Sequence, residues 1–147
     1  MSLQDWQTNG WLKPHVASVS EIAQLTEVVE RDLRDCEAAG LSDDWRFSIA
    51  YNAALQLAHA ALAAAGYETP KGESHHFRVI QSLEHTVGAD RTFIQRFDLF
   101  RKKRNAGVYE RAGSISRQDA SAMISLAKDL QVRVLRWIAA DHPQLLA

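Results

Sequence analysis

Hydrophobic side chains recur with a helical period in five segments of this chain, separated by short polar joints. The first segment, residues 18–40, has apolar residues at three- and four-residue steps and charged residues on the other face, which predicts an amphipathic outer helix. Its apolar stripe consists of Ile22, Leu25, Val28, Val29 and Leu33. Ser18 and Glu21 have the S-x-x-E spacing of a capping box, and Gly40 is predicted to end the helix.

The second segment, residues 42–66, is predicted to be the central helix of the fold. Ser42 is its expected N-cap, and apolar residues cover most of its circumference, which is typical of a helix buried among others. Tyr51 and Asn52 are the polar exceptions within this segment. Because buried polar groups need partners, we expect both side chains to form tethering hydrogen bonds.

Three further helices are predicted over residues 74–88, 90–104 and 116–142, with Asp90 and Ser116 as N-caps of the last two. No stretch alternates convincingly with period two, so no strand is predicted. The fold class is therefore predicted to be all-α, an up-and-down bundle of four to five helices with antiparallel neighbours.

The domain organisation is predicted to be simple. Residues 1–17 form an N-terminal leader and residues 18–147 a single helical-bundle domain. The leader carries two tryptophans, Trp6 and Trp11, which are expected to fold back on the bundle or to pack at a dimer interface.

Composition narrows the class of protein further. Seventeen basic against eighteen acidic side chains give a net charge of −1, which excludes a polybasic protein. The single cysteine, Cys36, permits no intrachain disulfide and suits a reducing compartment. No signal peptide and no apolar run of membrane-spanning length are seen. We therefore expect a cytoplasmic protein with no membrane partner, and we predict no cofactor and no metal site.

The least ordinary segment is the basic run at the end of the fourth helix. Basic residues there can simply offset the helix dipole. Alternatively, Arg101 and Arg104, three residues apart on one helix face, can hold a phosphate by forked hydrogen bonds, with Asn105 at the same level. Both interpretations stay open at this point. The run supplies the candidate ligand-binding residues Arg101, Lys102, Lys103 and Arg104.

At these residues the sequence resembles the HEPN superfamily, small helical bundles of prokaryotic toxin–antitoxin, defence and RNA-processing systems. The block Arg104-Asn105, followed after three residues by Tyr109, is similar to the signature region of that family. Residues 44–55 resemble its first core helix, and His75 and His76 fit the opening of the next one. The similarity covers roughly residues 18 to 140.

The resemblance implies specific roles for these residues. Ribonucleases of the family carry an arginine, then usually a polar residue, then a histidine after four to six positions, and two copies face each other across a homodimer cleft. Arg104, Asn105 and Tyr109 would be the catalytic candidates, with Tyr109 where a histidine is expected. A phenol with a pKa of about 10 is a poorer acid–base group near neutrality than imidazole, with a pKa of about 6.5. We therefore expect weak or absent nuclease activity.

Three hypotheses follow for function. The first is a homodimer that binds RNA or a nucleotide in a basic cleft, where His76 and Arg46 are further candidate ligand-binding residues. The second is a metal-independent ribonuclease toxin that uses the catalytic candidates, helped by a histidine such as His76 that folding brings close. The third is an interaction module whose basic run contacts an acidic protein. The resemblance also implies a nucleotidyltransferase or another antitoxin as partner, with Tyr109 as a site of adenylylation.

Overall fold

The computed structural model describes residues 1–70, 75–105 and 114–146, and Tyr109 lies outside these ranges. The described chain is mostly helical, which confirms the predicted helical bundle. Its helices are α1 (Leu3–Thr8), α2 (Val19–Asp35), α3 (Asp43–Ala64), α4 (His75–Ser82), α5 (Arg91–Lys103) and α6 (Arg117–Asp141). Two short strands, β1 (Lys13–Pro14) and β2 (Tyr67–Glu68), and a 3₁₀ helix (Pro143–Leu146) complete it.

The four predicted N-caps are confirmed. Each cap side chain accepts a hydrogen bond of 2.8–3.2 Å from the backbone N–H three residues later, and the caps are Ser18, Ser42, Asp90 and Ser116. The capping box predicted for α2 is only half formed. The carboxylate of Glu21 contacts Nε2 of His15 at 2.7 Å instead of returning to the helix start. A tertiary contact has therefore replaced the local one.

Helix α3 forms the centre of the fold, as its apolar circumference predicts. It packs against α2 on one side and α6 on another, and its alanines are largely buried. The amide of Asn52 donates a 2.7 Å hydrogen bond to Oδ2 of the buried Asp32 on α2. Arg31 pairs with the other carboxylate oxygen at 3.0 Å. A buried carboxylate is costly unless it is paired, so these contacts fix the α2–α3 interface.

Two predicted helices are shorter than expected. Helix α2 ends at Asp35 rather than near Gly40, and α4 ends at Ser82 rather than near Gly88. After α4 the backbone N–H groups of residues 83–85 bond to carbonyls three residues back, which tightens the chain into turns. Gly88 then adopts a positive φ of 70°, a conformation that suits glycine.

The first seventeen residues pack against the bundle. Trp6 is buried, with its ring edge-on to His85 at a centroid distance of 5.2 Å. Strand β1 pairs antiparallel with β2, and the imidazole of His15 lies between Glu21 and Glu68, with Nδ1 3.2 Å from the latter. The two-residue strands were not predicted, because so short a strand shows no alternation of polar and apolar residues.

Replacing Asn52 tests the polar tether between α2 and α3. Asn52→Ala leaves Asp32 buried without its 2.7 Å amide donor. We expect the free energy of unfolding to fall by about 2 kcal/mol, because a buried group that loses its partner retains its desolvation cost. Guanidinium titration followed by circular dichroism measures it. Gln56→Ala, one turn along the same helix, is the control, and an equal loss in both variants would contradict the tether.

Candidate functional site

The basic run at the end of α5 divides between two faces of the helix. Arg101 and Arg104 face the neighbouring helices, whereas Lys102 and Lys103 are exposed. Nζ of Lys102 lies 3.5 Å from the carboxylate of Asp98, and Nζ of Lys103 lies 2.9 Å from Asp119. The structure therefore brings the two arginines to one side of the helix and leaves the two lysines outside that site.

Arg101 is held by a carboxylate and an aromatic ring. Its Nε donates a 2.7 Å hydrogen bond to Oδ1 of Asp98, one turn earlier on α5. Its Cζ lies 5.6 Å from the ring centroid of Phe77 on α4, within the range of a cation–π contact. Only 20% of the side chain is exposed, so the guanidinium is fixed at the α4–α5 junction.

Arg104 lies over a buried tyrosine of the central helix. Its Cζ is 5.0 Å from the ring centroid of Tyr51. The same ring packs edge-on against Phe97 of α5 at 5.9 Å and lies 6.3 Å from the imidazole of His76 on α4. The ring of Tyr51 on α3 therefore contacts both α4 and α5. Arg104 and His76 both lie against this ring.

The Tyr51 hydroxyl does not form the tether that the sequence predicted. The oxygen is buried and has no hydrogen-bond partner among the residues that the structure describes. Burial raises the pKa of Tyr51 to about 12, although the charges of Arg104 and Arg101 oppose that shift. The phenol therefore stays protonated near neutral pH, and because its oxygen is buried, the aromatic ring rather than the hydroxyl faces Arg104.

The surroundings of His76, beside the arginines, favour its neutral form. Burial lowers the pKa of His76, and the charges of His75, Arg104 and Arg101 lower it further. The rings of His75 and His76 lie 5.0 Å apart. A neutral imidazole keeps one nitrogen that accepts a proton. His76 is therefore suited to accept a hydrogen bond or a proton from a ligand next to Arg104.

His59 of α3 extends this group of imidazoles. Burial, with smaller contributions from His76 and His75, lowers the pKa of His59 to about 4. His59 also lines a cavity of about 290 Å³, together with residues that include His15 and Gln56. Among the described residues, no group of three or more histidine, cysteine or acidic side chains is arranged to hold a metal ion.

Two other predicted site residues lie apart from this cluster. Arg46, in the first turn of α3, pairs with Asp43 at 3.2 Å. Burial raises the pKa of Cys36, the residue that follows α2, and the charge of Arg46 opposes that shift. Asn105 is exposed just after Arg104. The third catalytic candidate, Tyr109, lies outside the described residues.

Sequence reasoning missed three members of the site. Asp98 was detectable, because its spacing of three residues from Arg101 is that of a helical ion pair. Phe77 and Tyr51 carry no local signal for a site, and only the packing of α4 and α5 on α3 reveals their rings as contacts of the arginines.

Comparison of the chain with protein-family models, with curated proteins and with solved structures finds no match. Across the three described ranges, none of the helices has the length and apolarity needed to cross a membrane.

The depressed pKa of His59 predicts a loss of stability in acid. The unfolded chain binds a proton near pH 6.5, whereas folded His59 binds it only near pH 4. The contribution of His59 to the free energy of unfolding is therefore fully present above pH 6.5. As the pH falls towards 4, the free energy of unfolding decreases by on the order of 3 kcal/mol.

Urea unfolding between pH 7.5 and pH 4 measures this dependence. His59→Gln is expected to show a shallower decline of unfolding free energy than the wild type. His142→Gln, which changes a histidine that contacts Trp137 outside the cluster, is expected to keep the full decline. Parallel curves for all three proteins would contradict the assignment to His59.

Proposed function

We propose that this chain is a cytoplasmic, HEPN-like helical-bundle protein that binds RNA or a nucleotide through its phosphates at Arg101 and Arg104. The observation that carries the proposal is the placement of both guanidiniums on the inner side of α5, over the rings of Phe77 and Tyr51. In the family it resembles, two copies form the cleft, and we propose the same homodimer here.

The geometry supports a phosphate as the ligand for three reasons. Guanidinium forks match phosphate oxygens in shape and charge. Stacking against rings limits the motion of both arginines before a ligand arrives, which reduces the entropy lost on binding. The neutral imidazole of His76 adds an uncharged polar group beside the arginines.

The affinity for RNA tests this proposal. Arg104→Gln is expected to weaken binding of a labelled single-stranded RNA about tenfold or more, because one charge-assisted hydrogen bond is worth about 1.5–3 kcal/mol. The slope of log affinity against log salt is expected to become shallower by about 0.7 for each phosphate that the variant no longer neutralises. Fluorescence anisotropy at several salt concentrations gives both values.

The matched control is Arg136→Gln, which removes the same charge from an exposed position on α6. It is expected to leave RNA affinity within about twofold of the wild type. An equal loss in both variants would indicate a non-specific charge effect. No RNA association, or a slope near zero, would remove the RNA proposal and favour an acidic protein as the partner of the basic run.

Metal-independent RNA cleavage is a second candidate function, which the position of His76 favours. In that reaction a base takes the proton of the ribose 2′-hydroxyl, whose oxygen attacks the adjacent phosphorus. The bond to the 5′-oxygen breaks, and that oxygen takes a proton from an acid. His76 has the neutral imidazole that the first step requires, beside arginines able to stabilise the charged phosphate.

Our proposal expects no strong cleavage, because the histidine expected at the position of Tyr109 is missing from the sequence. Labelled RNA incubated with the wild type should therefore stay whole over hours, as it should with Arg104→Ala. Cleavage to 2′,3′-cyclic phosphate ends by the wild type, abolished in both Arg104→Ala and His76→Gln, would establish the ribonuclease instead.

A further inference from the structure

Helix α5 carries an apolar groove that the described residues leave open. Leu99 is 62% exposed, and with Phe100 it lines a groove of about 410 Å³. Arg96, Lys102 and Lys103 form the rest of its lining. We call this surface the Leu99 groove. Positions 96, 99, 100 and 103 follow the i, i+3, i+4, i+7 spacing of one helix face.

The groove is separate from the arginine site on the same helix. Phe93, Ile94 and Phe97 bury the inner side of α5, and Arg101 and Arg104 lie over rings of α4 and α3. Burying a leucine side chain away from water stabilises a protein. Because Leu99 is exposed, the isolated chain lacks this stabilisation. A partner that covered the leucine side chain would supply it.

From this combination of an apolar floor and a cationic rim we infer that the Leu99 groove binds an acidic amphipathic helix of a partner protein. The apolar side of such a helix fits over Leu99 and Phe100, and its carboxylates reach the three cations. Lys102 and Lys103 already pair with Asp98 and Asp119, but both lysines are about half exposed or more. When Lys102 turns to a partner's carboxylate, Asp98 keeps the hydrogen bond that Arg101 donates, so this exchange costs little.

Charge argues against the other occupants of this groove. Even with Asp98 and Asp119 counted, each copy presents three cations against two carboxylates, so a second copy docked symmetrically would meet a like net positive charge. RNA would find cations at the rim, but its phosphates gain nothing from an apolar floor. The inference does not depend on the proposed RNA site, because its lining consists of residues other than Arg101 and Arg104.

Two synthetic helical peptides test the inference on the full chain. Both carry leucines at i, i+3, i+4 and i+7. One has glutamates at its other positions and one has lysines. We expect the acidic peptide to bind with a micromolar dissociation constant and the basic one at least tenfold more weakly. Leu99→Glu is expected to weaken binding of the acidic peptide at least tenfold, because it places a like charge on the apolar floor.

The matched control is Val132→Glu, which adds the same charge at an exposed apolar position of α6 and should leave peptide affinity unchanged. Circular dichroism checks that both variants fold, and RNA affinity should be retained in Leu99→Glu if the two surfaces are independent. The inference is overturned if the acidic peptide does not bind, if both peptides bind equally, or if Leu99→Glu has no effect. It is also overturned if light scattering shows a wild-type dimer that Leu99→Glu dissociates, since a second copy would then occupy the groove.

Discussion

The packing of α5 and α4 on Tyr51 is the contact on which the candidate site depends. Tyr51 lies on the central helix and is 1% exposed, so the position of its ring is set by the core rather than by the surface. Its edge-on contact with Phe97, together with that of Phe47 with Phe100 at 5.6 Å, aligns α5 antiparallel to α3. Such aromatic pairs contribute about 0.5–1.5 kcal/mol each beyond the area they bury. Arg104 reaches the ring only because α5 is held in this register.

Burial then determines which groups in the site carry charge. An arginine guanidinium stays charged even when it is half-buried, and its face tolerates an aromatic ring. The same surroundings favour the neutral form of an imidazole, as the lowered pKa values of His76 and His59 indicate. The result is a site with fixed cations and neutral acceptors. That combination suits an anion that also offers hydroxyl groups, which is the chemistry of a ribose-phosphate chain.

Local signals in the sequence predicted the helices and their beginnings, because a cap and an apolar stripe are properties of neighbouring residues. The i, i+3 spacing likewise predicted that Arg101 and Arg104 share a face. The features that these local signals did not predict depend on tertiary contacts. The carboxylate of Glu21 contacts His15 instead of completing the capping box. The ring of Tyr51 contacts Arg104, although these two residues are far apart in the chain. Helix α1 was too short to show an apolar period.

The central claim is that a phosphate chain lies against the guanidiniums beside His76. The most direct measurement is the pKa of His76 by ¹⁵N NMR, with and without saturating single-stranded RNA. The account predicts a pKa below the ordinary histidine value in the free protein. On binding, negative phosphate next to Arg101 and Arg104 should offset their charge and raise it. A pKa that does not move while RNA is bound elsewhere on the protein would contradict the account.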